Sequence, residues 1–207
     1  MIAVIDYDMG NLRSVEKALK HVGADPVVTR NPRKILDASA VVLPGVGAFK
    51  ECMRNLENYG LVEPLLKSIS SGKPFLGICL GLQLLFEEGE EDGPCKGLGV
   101  IKGKVLKFPQ GMKDEGRELK IPHMGWNDVK KEKESSFLKN TEDGTFFYFV
   151  HSYYASPDDK TVTLTTTSYG TEFTSSIEKD NVVACQFHPE KSQKAGLMLL
   201  ENFIEMR

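Results

Sequence analysis

Phe75-Leu-Gly-Ile-Cys79-Leu-Gly-Leu-Gln83 decides how this chain is read. Phe75 to Cys79 is a short apolar run set off by Gly72-Lys73-Pro74, the length of a buried strand. Gly77-Ile78-Cys79-Leu80-Gly81 has the form G-x-C-x-G, and a helical stretch from Leu80 to about Glu88 is expected after it. A strand that turns sharply into a helix between two glycines is a nucleophile elbow, here carrying cysteine instead of serine. The turn pushes one side chain into the open, and the helix N-terminus behind it favours a thiolate. Taken alone, the pentapeptide fits a small buried residue in a glycine-rich crossover equally well.

Outward from the elbow, the first half alternates strand and helix. Ile2 to Asp6, Pro26 to Thr29 and Ala40 to Leu43 read as buried strands. Between the first two, Asn11 is a plausible helix N-cap, Leu12, Val15, Leu19 and Val22 recur at helical spacing, and Gly23 stops the helix. Helices are expected over about 48–58 and 61–71. Such alternation implies a parallel sheet covered on both faces. The second half reads differently. Val105 to Phe108, Thr145 to Ala155, Val162 to Tyr169 and Phe173 to Ile177 are strand-like with little helix between them, which suggests antiparallel additions. Val182 to Phe187 is a last buried strand, and Ser192 is placed to cap a closing helix with Leu197, Leu200 and Ile204 inward. Lys130-Lys131-Glu132-Lys133-Glu134 reads as a solvated loop.

Composition narrows the function classes. At 207 residues one domain spanning 1–207 is expected, with a core large enough to need no staples. Lys and Arg number 26 against 29 Asp and Glu, a net charge of −3 that gives no electrostatic reason to expect nucleic acid or an anionic membrane. Pro74 to Phe86, the longest apolar stretch, is too short to span a bilayer, and MIAVIDYDMGN lacks the features of a signal peptide, so a cytoplasmic location is expected. The four cysteines include no C-x-x-C pair and the four histidines are scattered. No metal site and no cofactor are therefore expected.

Two further segments end strands at the same sheet edge, where open α/β sheets bind their ligands. In Gln186-Phe187-His188-Pro189-Glu190, Pro189 keeps His188 extended, and alternation places Glu190 beside it, where a carboxylate can orient and stabilise an imidazolium. Leu43-Pro44-Gly45-Val46-Gly47 offers backbone N–H groups, that of Val46 among them, to join that of Leu80 in an oxyanion hole. An ordinary surface His–Glu contact and an ordinary strand-to-helix turn are the plain alternatives for these two segments.

Gly77-Ile-Cys-Leu-Gly-Leu-Gln83 together with Gln186-Phe-His-Pro-Glu190 resembles the class I (triad) glutamine amidotransferases. Asp6-Tyr-Asp-Met-Gly-Asn-Leu-Arg-Ser14, Leu43 to Phe49, Pro122-His-Met-Gly-Trp-Asn127, Tyr148-Phe-Val-His-Ser-Tyr153 and His188 to Ser192 extend the likeness along the whole chain. They narrow it to the glutaminase subunits of imidazole glycerol phosphate synthases, with Leu82 where that family often has Met. The resemblance implies a flavodoxin-like α/β fold, with a central, mostly parallel sheet flanked by helices and added antiparallel strands. It implies a Cys79, His188, Glu190 triad working through a glutamyl thioester. Glutamine would be held by Gln83, by Glu91 at the α-amino group, and by the backbone around Gly47, His151, Ser152 and Tyr153. Glu91 lies in the acidic run Glu87 to Asp92, whose alternative is a solvated helix end. The implied partner in a heterodimer is a (β/α)₈-barrel cyclase that receives ammonia through a tunnel and makes imidazole glycerol phosphate and AICAR in histidine biosynthesis. Asn11, Met124, Trp126, Tyr148 and Lys191 match positions at or near that interface, with a core role as the alternative for Trp126, the chain's single tryptophan. Three other readings compete: a sister amidotransferase with another acceptor, a free-standing cysteine hydrolase such as a γ-glutamyl peptidase, and a flavodoxin-like binding module. They differ in what co-purifies, in activity without a partner, and in labelling of Cys79 by a glutamine analogue.

Overall fold

The computed structural model describes residues 1–91, 93–114 and 116–206. Asp92, the last residue of the acidic run, lies outside the described residues. The first half runs β1 (Ile2–Ile5), α1 (Leu12–His21), β2 (Pro26–Thr29), α2 (Pro32–Asp37), β3 (Ala40–Gly45), α3 (Phe49–Asn58), α4 (Val62–Ser70), β4 (Phe75–Cys79) and α5 (Leu80–Gln83). The strands β5 (Phe86–Gly89), β6 (Cys95–Lys96), β7 (Ile101–Lys107), β8 (Lys113–Asp114), β9 (Arg117–Glu118), β10 (His123–Lys131), β11 (Thr145–His151) and β12 (Tyr153–Pro157) follow. The chain closes with β13 (Thr163–Ser168), β14 (Glu172–Lys179), β15 (Val182–Cys185) and α6 (Gln193–Glu205).

Among the described residues thirteen strands share one sheet, ordered β2-β1-β3-β4-β15-β14-β12-β7-β5-β6, with β10 bridging β11 and β13. The five strands β2-β1-β3-β4-β15 are parallel. From β15 onward the pairings to β14, β12 and β7 are antiparallel. The parallel strands are apolar on both faces because both are covered. Alternate residues enter opposite cores: Ala3, Ile5, Val41 and Leu43 meet α2, α3 and α4, while Ile2, Val4, Val42 and Leu76 meet α1 and α6.

Several expectations change on contact with the fold. The helix after Cys79 ends at Gln83 instead of Glu88. Leu84 and Leu85 give their carbonyls to the amides of Leu98, Val100 and Ile101, and Phe86–Gly89 becomes a strand parallel to β7. Ser192 does not cap α6: its Oγ donates to His188 O (2.7 Å) and accepts from Tyr148 N (3.0 Å). On α6 the fully buried positions are Leu199, Leu200 and Phe203, with Leu197 and Ile204 at the margin. Lys130 and Lys131 are the end of β10, paired with Thr166 and Thr165, and not a loop. The run from Thr145 to Ala155 is two strands, broken at Ser152.

The elbow depends on close packing. A Cβ on Gly81 would overlap the Leu43 carbonyl oxygen, and one on Gly77 would come 2.7 Å from Gly81 O. Gly81→Ala should therefore cost more than about 3 kcal/mol, beyond ordinary overpacking. Denaturant unfolding monitored by circular dichroism checks this, and a wild-type midpoint would mean that α5 does not pack on β3 as described.

Candidate active site

Strand β4 ends on Cys79 at φ 54°, ψ −106°, a left-handed conformation rare for a residue with a side chain. β3 and β15 flank it in parallel register, with Gly45 opposite Cys79 and Cys185 opposite Ile78. The strand ends of β3, β4 and β15 thus bring Val46, Cys79 and the segment after Cys185 to one edge, as the sequence implied. Cys79, Val46, Leu80, Gly47, Gln83, Glu91, His151, Ser152 and Tyr153 all line one cleft of about 280 Å³, together with Pro122 and Val150.

His188 and Glu190 do not line the cleft; each side chain is 2% exposed, and His188 lies within electrostatic reach of Cys79. Nδ1 of His188 meets Oε1 of Glu190 at 2.8 Å, while Nε2 is buried without a hydrogen-bond partner. Burial disfavours the imidazolium, but negative charge on Cys79 and Glu190 outweighs it and raises the His188 pKa to about 10. The backbone around His188 is clamped by β11: His188 N donates to Tyr148 O (2.9 Å), and Tyr148 N donates to Ser192 Oγ. Phe187 stacks on Phe147 at 4.2 Å between ring centres.

His151, the other histidine at the cleft, is electrically its opposite. Nδ1–H donates to Tyr153 O (2.8 Å), so Nε2 must accept, and it takes the Nδ1–H of His123 at 3.0 Å. His123 Nε2 in turn accepts from Asn127 Nδ2 at 3.2 Å. Burial pushes His151 down to about 3 and His123 down to about 4. With both nitrogens engaged and no carboxylate beside it, His151 is unsuited to take up a proton.

The remaining thiols are quiet. Burial pushes Cys52 up to about 12 and Cys185 well above the usual thiol range. Among the described residues no cluster of His, Cys, Asp and Glu is arranged to hold a metal ion, and no helix is long and apolar enough to cross a membrane.

Glu91 is not a solvated helix end. It lies beyond β5, lines the cleft, and accepts from Phe49 N at the start of α3 (2.6 Å). Asn11 caps α1 through Ser14 N. Met124 and Trp126 are 61% and 46% exposed, so Trp126 is not a core residue. β10 and β11 bury His123, Val129, Phe147, Phe149 and His151 on one face. Met124, Trp126, Phe146, Tyr148 and Val150 lie on the other. Trp126 crosses Tyr148 edge-on at 6.2 Å, and Lys191 Nζ stands 5.8 Å from the Tyr148 ring centre.

Sequence reasoning missed Phe146, His123 and Tyr7 as site neighbours. Phe146 is 56% exposed and extends the apolar face. Tyr7 is buried against Gly45, donates to Pro44 O (2.8 Å) and thereby fixes the peptide just before Gly45. Cys52 Sγ reaches Val46 O at 3.9 Å on the other side. Alternation in Thr145 to Ala155 was a usable signal for Phe146, whereas Tyr7 lies far from Gly45 in sequence and gave none.

Comparison with known proteins places the chain in a family. The sequence model of the family "Glutamine amidotransferase class-I" matches residues 3–206. Imidazole glycerol phosphate synthase subunit HisH of Geobacter sulfurreducens is 56% identical over 206 residues, covering 100% of this chain and 99% of that one. The subunit of the same name from Aquifex aeolicus is 57% identical, covering 97% and 94%. Among solved structures, a glutamine amidotransferase superimposes with TM-score 0.74 at 20% identity, covering 100% and 98% of the two chains. A chain of PurLQS from Thermotoga maritima gives 0.72 at 20% identity, covering 99% and 95%. At that identity the two structures speak for the fold alone.

The histidine pair sets a pH dependence. Folded His123 and His151 stay neutral down to about pH 4 and 3, whereas in the unfolded chain they take up protons near pH 6.5. The unfolded state then binds more protons, so stability falls as pH drops from 6.5 toward 4, by up to about 1.4 kcal/mol per pH unit for each histidine. His188 acts in the other window: its raised pKa adds stability below pH 6.5 that is lost as pH climbs toward 10. Denaturant midpoints measured between about pH 7 and 4.5 should show the acid limb, flattened in His123→Gln. A wild-type limb no steeper than that of the variant would mean the pair is not neutral.

Proposed function

We propose, because this chain belongs to the class-I glutamine amidotransferases, that it is the glutaminase subunit of an imidazole glycerol phosphate synthase. Relatives that carry this name match the chain at 48–57% identity over nearly its whole length. The observation that carries the chemistry is the buried His188–Glu190 pair, with Nε2 unpartnered and the imidazole within electrostatic reach of the elbow cysteine. In this reading residues 1–207 act as one glutaminase domain.

The Cys79 thiolate attacks the side-chain carbonyl carbon of glutamine, and the carbonyl oxygen takes up negative charge. The N–H groups of Val46 and Leu80 receive that oxygen. His188 Nε2–H passes its proton to the departing ammonia, the C–N bond breaks, and a glutamyl thioester remains on Cys79. Nε2, now basic, draws a proton from water as the water attacks the thioester, and glutamate leaves with Cys79 again a thiolate. Glu190 keeps Nδ1 protonated and stabilises the imidazolium. Glutamine's remote end is held by Gln83, Glu91 and the backbone of Gly47, His151, Ser152 and Tyr153.

Released ammonia is small and readily protonated, which favours direct delivery to a second subunit. The apolar face of Met124, Trp126, Phe146 and Tyr148, with Lys191 at its edge and Asn11 at the start of α1, fits docking of a (β/α)₈-barrel cyclase. Tyr148 touches that face with its ring, accepts from His188 N with its carbonyl, and reaches His188 O from its amide through Ser192 Oγ. Docking therefore has a short route to the triad. The Gly45–Val46 peptide is the switch: it lies between a Pro44 carbonyl held by Tyr7 and a Val46 carbonyl held by Cys52, so its N–H can turn toward or away from the oxyanion. One missing donor costs about 10²–10³ in rate.

Four outcomes are expected. Cys79→Ala abolishes glutamine hydrolysis, a loss on the order of 10⁶ in kcat by analogy with serine triads, while ammonia-dependent synthesis by the complex survives. His188→Ala loses more than His151→Ala, and the reverse order in steady-state assays would move the base to the wrong histidine. Glutamine turnover by the chain alone, with the cyclase, and with cyclase plus its ligand should rise mainly in kcat, and equal kcat in all three would remove the switch. Trp126→Ala should weaken docking by about 2 kcal/mol in a titration of the two subunits.

A further inference from the structure

Gln186 directly follows β15 and has no exposed surface. Its Nε2 donates to Cys79 Sγ at 3.6 Å and its Oε1 accepts from Gln83 Nε2 at 3.0 Å. Gln83 Nε2 uses its other hydrogen on Tyr153 O at 2.9 Å. These orientations follow from one fixed point. A backbone carbonyl can only accept, so Gln83 must turn its NH₂ toward Tyr153 O. The second hydrogen of that NH₂ then needs an acceptor, which obliges Gln186 to present Oε1. The other end of the Gln186 amide, an N–H donor, is thereby aimed at sulfur. The same logic leaves Oε1, an acceptor, as the group that Gln83 offers to the cleft.

From this geometry we infer that Gln186 is a donor to the reacting sulfur and the residue that presets Gln83 to receive an ammonium group. The inference rests on the reading of Cys79 as the nucleophile for glutamine. An N–H aimed at sulfur favours thiolate over thiol. When the thioester breaks, the C–S electron pair returns to Sγ, and the Gln186 N–H meets the charge that forms there while water supplies the new C–O bond. An acceptor at Gln83 pairs with the donor-only α-ammonium of an amino acid and repels a carboxylate placed at the same spot.

The test uses Gln186→Met and Gln186→Glu in the full chain. Alkylation of Cys79 by iodoacetamide, located by peptide mass, reads the sulfur without glutamine or partner. Glutamine kinetics of the chain in complex with its cyclase read Gln83. Gln186→Met removes both hydrogen bonds, so alkylation at pH 7 slows about tenfold, the effect of losing one hydrogen bond to a charged group, and KM rises as well as kcat falling. In Gln186→Glu a neutral carboxyl can still donate to sulfur and an ionised one cannot. Its alkylation rate therefore falls as pH rises, while the wild-type rate does not, and thermal melts of both variants report folding. Should Gln186→Met not fold, the pH profile of Gln186→Glu decides. Alkylation by the folded variants within about twofold of wild type, with the wild-type pH profile, overturns the inference. Wild-type alkylation that is fast while the complex of the chain with cyclase and its ligand lacks glutaminase activity would instead fault the assigned substrate.

Discussion

The site is built around a carbonyl oxygen that leaves no room for a side chain. Leu43 O on β3 occupies the space where Gly81 would carry its Cβ, so α5 begins against the neighbouring strand with nothing between them. That contact fixes where β4 must stop. It forces the change of direction through Cys79, whose left-handed backbone is held by packing on both sides. Gly45 on β3 is also tight: a Cβ there would come 2.5 Å from Tyr7 Oη and 2.9 Å from Leu80 Cβ. Cys79, the Gly45–Val46 segment and Gln83 are consequently positioned by backbone packing, and their mutual geometry does not depend on long flexible side chains.

On that frame the same residue type is given two electrical characters. His188 and His151 are both buried, and burial alone would lower both. His188 faces a carboxylate at 2.8 Å and a cysteine that can carry charge, so it holds its proton. His151 faces a carbonyl and another imidazole, so it stays neutral and serves as a rigid spacer between β10 and the Tyr153 carbonyl. Division of labour between the two histidines is thus set by their partners and not by their depth.

Much of this was legible in the chain. The apolar runs of β1, β3, β4 and β15 stood out because strands covered on both faces have no polar positions to dilute the pattern. The motif residues at Cys79, His188 and Glu190 were legible because each follows such a run. What escaped had a physical reason in each case. β10 was hidden because Met124 and Trp126 point outward, which inverts the usual apolar-in, polar-out alternation over half the strand. The helix drawn from Leu80 to Glu88 was misjudged because Leu84, Leu85 and Phe86 satisfy either period, and only the distant amides of Leu98 to Ile101 decide for the strand. Ser192 had the composition of a cap but a better partner across space in Tyr148. Gln186 sat inside a quoted motif, yet its partners lie 103 and 107 positions away.

The tryptophan at position 126 has a consequence of an optical kind. It is the single indole in the chain, it stands half in water on the outer face of β10, and the phenol ring of Tyr148 lies close by. Intrinsic emission of the protein therefore comes from one known place, with no second fluorophore of its class to average against. Covering that face moves the indole from water into an apolar surround and shifts its emission toward the blue. The molecule carries its own unlabelled gauge of whether the β10–β11 surface is open or occupied.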